Sequence, residues 1–369
     1  MQKTKFYSYK NNELAKGCQL CVQGKKLVLF VTGLCPKKCW YCPLSEEKYK
    51  KDVQFANERP IITDEDLILE AKSMDAEGAG ITGGDPLVVL DRTLNFINVL
   101  KDNFNERFHI HLYTSPCSLS KEVLEKLNRL DEIRLHPDLD NKKDWEKLHL
   151  LKYFNGSKGI EIPCVPNKSE NIFELIRFVK DKVNFINLNE LEVAHTPHNE
   201  VLGRGYAIVE DSYAVQGSLE LGMKILEEFS DLNIHFCTAQ LKDKIQLGNR
   251  ILRQAKCNSH RFDIITSEGS LIRGAIYLEK PGFSYREELK KKNKNEAIKK
   301  LKKKREELCL SLKCSKKDIF IDEIKYRFLV SCKFIRRYNE KIKLLELIPA
   351  IVEEYPTYDM FEIELDFLD

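Results

Sequence analysis

From Lys26 to about Leu188 the chain alternates short runs of β-branched, aliphatic and aromatic residues with longer stretches whose apolar positions recur at helical spacing. The short runs, Leu27–Thr32, Ala79–Thr82, Phe108–Tyr113, Glu132–Leu135, Gly159–Ile162 and Asn184–Leu188, predict six strands. Helices are expected between them, near Asp64–Ala76, Asp91–Asn103, Ser120–Leu130, Lys142–Phe154 and Ser169–Lys182. Several carry start signals: Thr63 before Asp64-Glu65-Asp66, Ser118 and Ser120 before Glu122, and Ser169 before Glu170. Such alternation builds a parallel sheet covered by helices, an α/β body.

Beyond Leu188 the rhythm changes. Residues 190–216 hold His195, Pro197, His198, Gly203 and Gly205 in a long irregular crossing, and loops of this length often carry function. A helix at about Ser218–Ser230, a short strand Asn233–Phe236 and an amphipathic helix around Ala239–Lys256 follow. A hairpin is expected next, Arg261–Thr266 and Leu271–Leu278, turning at Ser267–Ser270. A Lys-rich helix at about Tyr285–Ser311 then leads into strand, strand, helix and strand. The expected domains are an N-terminal segment 1–25, the α/β body 26–236, a helix-and-hairpin extension 237–282, and a basic helix with a small α+β domain over 283–369.

Composition narrows the class. With 43% hydrophobic and 32% charged residues in a chain of 369, disorder and low-complexity architectures are excluded and a sizeable core is available. The N-terminus is polar and no run of about 18 apolar residues occurs, so a cytoplasmic protein without a membrane partner is expected. In a reducing compartment, 12 cysteines do not make a disulfide framework, and tight clusters among them point to metal. Net charge is +3, yet residues 280–317 hold 15 Lys and Arg against 5 Glu, a local +10 that leaves −7 elsewhere. A basic segment of this kind fits a phosphate-tracking face, with tRNA the foremost partner, and fits a solvated helix equally.

The sequence Val31-Thr32-Gly33-Leu34-Cys35-Pro36-Lys37-Lys38-Cys39-Trp40-Tyr41-Cys42-Pro43 sets three thiols within 8 residues directly after the first strand. So short a loop can converge three thiolates on one ion or cluster and leave a site open, whereas structural zinc asks for four closed ligands. Cys-x3-Cys-x-aromatic-Cys in this place resembles the signature of the radical S-adenosylmethionine (radical SAM) superfamily, with Tyr41 in the aromatic slot. Ile81-Thr82-Gly83-Gly84-Asp85-Pro86, after the second strand, is similar to the superfamily's Gly-Gly-Glu-Pro segment, with Asp85 in place of Glu.

The resemblance covers about residues 26–190 and implies a partial (β/α)6 TIM-like barrel with its chemistry at the C-terminal ends of the strands. It further implies that Cys35, Cys39 and Cys42 ligate a [4Fe–4S] cluster and that S-adenosylmethionine (SAM) chelates the fourth iron. Backbone carbonyls of Gly83, Gly84 and Asp85 would hold the SAM amino group, and a low-potential electron donor of ferredoxin or flavodoxin type would drive cleavage to a 5′-deoxyadenosyl radical. By position at strand ends, Ser115 suits SAM ribose or carboxylate, and Arg134 suits the SAM carboxylate. Asn187 and Glu190, at the end of the sixth strand, are the catalytic candidates for contact with substrate or SAM. His195 and His198 could move protons or merely complete a loop.

Upstream, Cys18-x2-Cys21 is expected as a knuckle-like turn offering two thiolates to one metal. Cys237 is their best complement, because further winding of the barrel would bring the end of its strand beside the first one. His235, Cys257, His260 or a substrate atom could be the fourth donor. An auxiliary iron–sulfur cluster, a structural zinc and unliganded thiols all fit these residues. Over its whole length the chain resembles an archaeal group related to the glycyl-radical (pyruvate formate-lyase) activating enzymes. The expected function is a radical SAM enzyme acting on a macromolecule, RNA first, with a protein-modifying or glycyl-radical activating enzyme as the alternative.

Overall fold

The computed structural model describes residues 1–282 and 284–368. It divides into two compact units, Met1–Arg250 and Ile251–Asp369. The boundary therefore falls inside the expected extension 237–282, because the hairpin belongs to the sheet of the second unit. Phe283 and Asp369, the two ends of the expected last domain, lie outside the described residues.

Seven parallel strands form the heart of the first unit: β1 (Lys26–Phe30), β2 (Gly78–Thr82), β3 (His109–Thr114), β4 (Glu132–Leu135), β5 (Ser157–Cys164), β6 (Phe185–Glu190) and β7 (Ile234–Cys237). Each pairs with its neighbour in chain order, so the sheet winds steadily without a crossover. Short antiparallel strands cover both edges, Phe55–Ala56 on β1 and Tyr9–Lys10 on β7, which removes the exposed ladders an open barrel would otherwise present. The fold is the expected partial barrel. Its helices include α1 (Lys16–Val22), α2 (Asp64–Ser73), α3 (Leu90–Phe104), α4 (Lys121–Lys126), α5 (Lys142–Glu146), α6 (Ser169–Val179) and α7 (Ser218–Glu228). Asp66 accepts from the Thr63 amide at 3.0 Å, and Ser120 accepts from the Val123 amide at 3.2 Å, so both start signals act as caps.

Period-two alternation along the strands decides what lies inside. Leu27, Leu29, Ile81, Ile110, Leu112, Ile133, Ile160, Ile162, Leu188 and Phe236 join one apolar core. The alternate positions carry His109, His111 and Tyr113, then Glu132 and Arg134, then Glu161, Asn187, Asn189, His235 and Cys237. From β3 to β7 the strands thus present an apolar set to the core and a largely polar set on the other side.

Several helical expectations change. Cys18 and Cys21 lie on α1 rather than in a knuckle. Gly17 permits that packing: a Cβ there would stand 2.5 Å from Arg134 Nη2 and 2.7 Å from His111 Nδ1. The expected helix 239–256 begins as a π-helix, Leu241–Leu247, and becomes α8 (Gly248–Asn258). The expected helix 142–154 is α5 followed by a 3-10 stretch, Lys147–Tyr153.

In the second unit the strands run β8 (Leu271–Tyr277), β9 (Phe320–Asp322), β10 (Arg327–Val330), β11 (Ile348–Glu354) and β12 (Glu362–Phe367), all antiparallel in the order β9-β10-β8-β11-β12. The last strand is one more than expected. The Lys-rich helix is two helices, α9 (Tyr285–Lys291) and α10 (Lys294–Leu312), with Asn293 capping the second. Leu301, Leu308 and Leu312 of α10 enter the core with Ile335 and Ile342 of α11 (Cys332–Lys343).

Candidate active site

A cavity of about 470 Å³ opens at the C-terminal ends of the strands. Cys35, Cys39, Cys42 and Tyr41 line it from the β1 loop, Gly83 and Gly84 from the β2 loop, Tyr113 and Ser115 from the end of β3, and Arg134 from β4. Glu161, Asn187, Asn189, His235 and Cys237 line it from β5, β6 and β7, and Cys18 and Cys21 from α1. The six thiols singled out in the sequence therefore border one space. Cys237 reaches the other two through α1, not by lying beside β1: its strand is at the far edge of the parallel run, where it packs with Val22 and Leu241.

Backbone geometry shapes the rim. Gly84 approaches the loop so closely that a Cβ would stand 2.3 Å from the Leu34 carbonyl oxygen, and a Cβ on Gly83 would stand 2.4 Å from that of Thr32. The Asp85 amide donates to Leu34 at 2.8 Å and the Gly84 amide to Thr32 at 2.7 Å, tying the two loops together.

Asp85 itself points away from the cavity. Its carboxylate, 1% exposed, accepts from the Leu87 amide (3.1 Å), Thr114 Oγ1 (2.6 Å), the Ser115 amide (3.3 Å), Ser115 Oγ (2.7 Å) and Ser118 Oγ (2.7 Å). The side chain acts as a clamp between the β2 and β3 loops, and Ser115, expected as a SAM contact, commits its hydroxyl to that clamp. Tyr41 meets His136 Nε2 at 2.8 Å, and burial raises its phenol well above the ordinary value.

Arg134 is not free for a bound carboxylate either. Its Nε donates to Glu132 at 2.6 Å, and its Nη1 to Glu161 at 2.8 Å and to Tyr113 Oη at 3.1 Å. Burial works against both charges of the Arg134–Glu161 pair, yet Arg134 together with Asn187 and Asn189 holds the Glu161 carboxyl below its usual range. Asn187 donates to Cys18 Sγ at 3.1 Å as well, so it sits on the cavity floor as a bridge between β5 and α1. Glu190 lies outside the lining: it accepts from the Ala239 amide at 2.8 Å, and burial raises its carboxyl. It starts the helix after β7 instead of facing the cavity. His195 rests edge-on to Tyr213, and His198 bonds the Leu44 carbonyl, both outside the cavity wall.

Glu161, Asn189 and His136 were missed from the sequence. The signal was present: a carboxylate inside the run Gly159-Ile160-Glu161-Ile162 is out of place in a parallel strand unless its face of the barrel is polar.

Burial raises the thiols of Cys35 and Cys21 to about 11, and it raises Cys39, Cys42, Cys18 and Cys237. Thiolates here need a cation or a cluster to sustain them. Among the described residues no three His, Cys, Asp or Glu side chains are arranged as metal ligands. The fit to a cluster rests on the donor set, soft thiols on an aperiodic loop, and on the glycine cradle beside it.

Residues 29–186, which run from within β1 into the start of β6 and include both loops, match the family model described as the radical SAM superfamily. The chain belongs to that superfamily and is an enzyme of it; such enzymes work with a [4Fe–4S] cluster and SAM and need an electron donor. It is 41% identical over 281 residues to a protein of Methanocaldococcus jannaschii provisionally named a glycyl-radical enzyme activating enzyme, covering 73% of this chain and 75% of that one. Weaker likeness reaches two solved structures. The radical SAM methyltransferase TsrM from Kitasatospora setae is 12% identical, with 55% of this chain and 42% of that chain covered at a TM-score of 0.36. Coproporphyrinogen III oxidase HemN from Escherichia coli is 16% identical, with 60% and 57% covered at a TM-score of 0.34. The chain thus spans less than two thirds of either structure. Among the described residues, no helix is long and apolar enough to cross a membrane.

Proposed function

We propose that this enzyme abstracts a hydrogen atom from a protein substrate, in the manner of a glycyl-radical activating enzyme, at the cavity bordered by Cys35, Cys39, Cys42 and the Gly83–Gly84 cradle. Bound SAM and a reduced [4Fe–4S] cluster would supply a 5′-deoxyadenosyl radical there. The observation that carries the reading is the convergence of thiol loop, glycine cradle and polar floor on one cavity of about 470 Å³. That is a pocket for one small ligand and little more, so with SAM in place the remaining room suits a single residue of a larger chain. Asn187, Asn189 and Glu161 line the floor, and His136 meets Tyr41 of the thiol loop. The provisional name of the Methanocaldococcus relative points to the same substrate class.

RNA has less support. Several lysines of the basic segment have carboxylate partners: Lys292 and Lys300 meet Glu279, Lys304 meets Glu307, and Lys316 meets Glu306. Leu301, Leu308 and Leu312 of the same helix are spent on the core. The substrate class is tested by hydrogen transfer. Protein and RNA fractions from cells grown in D2O are offered to reconstituted enzyme with SAM and dithionite, and 5′-deoxyadenosine is weighed by mass spectrometry. Deuterium acquired from the protein fraction supports the proposal; deuterium acquired from tRNA overturns it.

The same proposal assigns Cys18, Cys21 and Cys237 to a second metal centre, an iron–sulfur cluster in preference to zinc. His235 is the fitting fourth donor: it lines the cavity, its buried Nδ1 has no partner, and burial lowers its imidazole to about 4, which keeps the ring neutral for ligation. Cys257 and His260 belong to the second unit. Iron, sulfide and zinc are measured on protein carrying Cys35→Ala, Cys39→Ala and Cys42→Ala. Residual cluster supports the second centre, zinc alone replaces the cluster by a structural ion, and neither removes it.

A further inference from the structure

The crossing between β6 and α7 is ordered by its own ladder, and it lies on the thiol loop. Val215 N donates to Leu191 O at 2.8 Å, Val193 N to Tyr213 O at 2.9 Å, and Gln216 N to Ala207 O at 2.9 Å, so the segment braces itself before it touches anything else. Val201 is fully buried within it.

Three donors then leave this segment for three alternate carbonyls of the thiol loop. The Glu200 amide donates to Trp40 O at 2.7 Å, Asn199 Nδ2 to Cys42 O at 3.4 Å, and His198 Nε2 to Leu44 O at 2.7 Å. Stacking adds to them. The His198 ring lies on Tyr49 with centroids 3.7 Å apart and planes 5° from parallel, and Tyr206 stacks on Trp40 at 5.4 Å and 5°. Arg204 covers the Trp40 ring at 4.9 Å while paired with Glu200.

A loop without regular structure has carbonyls that no ladder satisfies, and its shape follows from whatever bonds them. The residues bonded here are 40, 42 and 44, which flank and include Cys42 and follow Cys39 directly. We infer that residues 191–217 form a strap that sets the geometry of the Cys39–Cys42 half of the loop, with His198 and Asn199 as positioning residues for the cluster ligands. The inference rests on reading Cys35, Cys39 and Cys42 as those ligands. Nothing in it requires His198 to exchange a proton with substrate, and its placement outside the cavity wall accounts for it better than the proton-transfer role considered from the sequence.

The test reads cluster retention rather than turnover. Full-length protein is reconstituted anaerobically, and iron release to a ferrous chelator is followed for wild type, His198→Ala, His198→Gln and Asn199→Ala. The thermal midpoint of each apoprotein serves as the fold control. Loss of one hydrogen bond and one ring stack should speed iron release about tenfold in His198→Ala, and change the EPR line shape of the reduced cluster, while the apoprotein midpoint stays within a few degrees. His198→Gln keeps an N–H able to reach Leu44 O and should recover part of the retention. Asn199→Ala should give a smaller effect in the same direction and serves if His198→Ala fails to fold. Iron release and line shape equal to wild type in both His198→Ala and Asn199→Ala would overturn the inference. Failure of the wild-type protein to hold a cluster would instead refute the ligand assignment on which it rests, and the strap role with it.

Discussion

Asp85→Ala offers the sharpest view of how the rim proposed to hold SAM is built. The five hydrogen bonds to its carboxylate come from three hydroxyls and two backbone amides, those of Leu87 and Ser115. The hydroxyls of Thr114, Ser115 and Ser118 can rotate toward other acceptors; the amides cannot. A stranded buried donor costs about 1–3 kcal/mol, so two of them give about 4 kcal/mol for the substitution. In a unit of this size that lowers the thermal midpoint by about 10 °C. Scanning calorimetry of the apoprotein reads the stability, and equilibrium dialysis of SAM against reconstituted protein reads the rim. SAM affinity should fall at least tenfold as the Gly83–Gly84 backbone loses its anchor. Asp85→Asn, which keeps an acceptor oxygen, should lie between the two. Asp85→Glu restores the residue of the superfamily pattern but adds a methylene in a closed site, at about 1–3 kcal/mol. A midpoint within about 2 °C of wild type with unchanged SAM affinity in Asp85→Ala would refute the clamp.

Other consequences follow from neighbouring geometry. Gly84→Ala places a Cβ 2.3 Å from a backbone oxygen that cannot swing aside, so SAM-dependent formation of 5′-deoxyadenosine should disappear while the protein still folds, as judged by circular dichroism. Arg134→Met leaves the buried carboxylates of Glu132 and Glu161 without their cation and should cost about 3–5 kcal/mol in urea unfolding, part of which the added change Glu161→Gln returns. Burial lowers Lys26 to about 7, so between pH 7 and about 10 the unfolded chain holds a proton there that the folded one does not, and stability rises with pH. The slope is up to about 1.4 kcal/mol per pH unit. Lys26→Met should lack this slope; parallel profiles for the two proteins would remove Lys26 as its source.

The parallel body was legible because it obeys two periods at once, and the six expected strands are found at β1 to β6. What escaped was set by tertiary contact. Cys-x2-Cys has the spacing of a metal knuckle, yet Gly17 lets the same residues form a helix against the polar face of the barrel, where the Cys18 thiol meets Asn187 and Arg134. Glu190 stands at a strand end, as an active-site carboxylate would, but the backbone amide of Ala239 claims it. Arg134 and Ser115 line the cavity, but spacing could not reveal that Glu161 and Asp85 already occupy them. The Lys-rich stretch had helical composition throughout, and only the cap at Asn293 shows where it breaks.

Cys35, Cys39 and Cys42 are proposed to serve one cluster that cleaves SAM. Protein reconstituted with iron and sulfide, reduced with dithionite and supplied with SAM should release 5′-deoxyadenosine and methionine in equal amounts, and protein carrying alanine at those three positions should release neither. Absence of 5′-deoxyadenosine from fully loaded wild-type protein, or its continued formation by the triple variant, would contradict that claim.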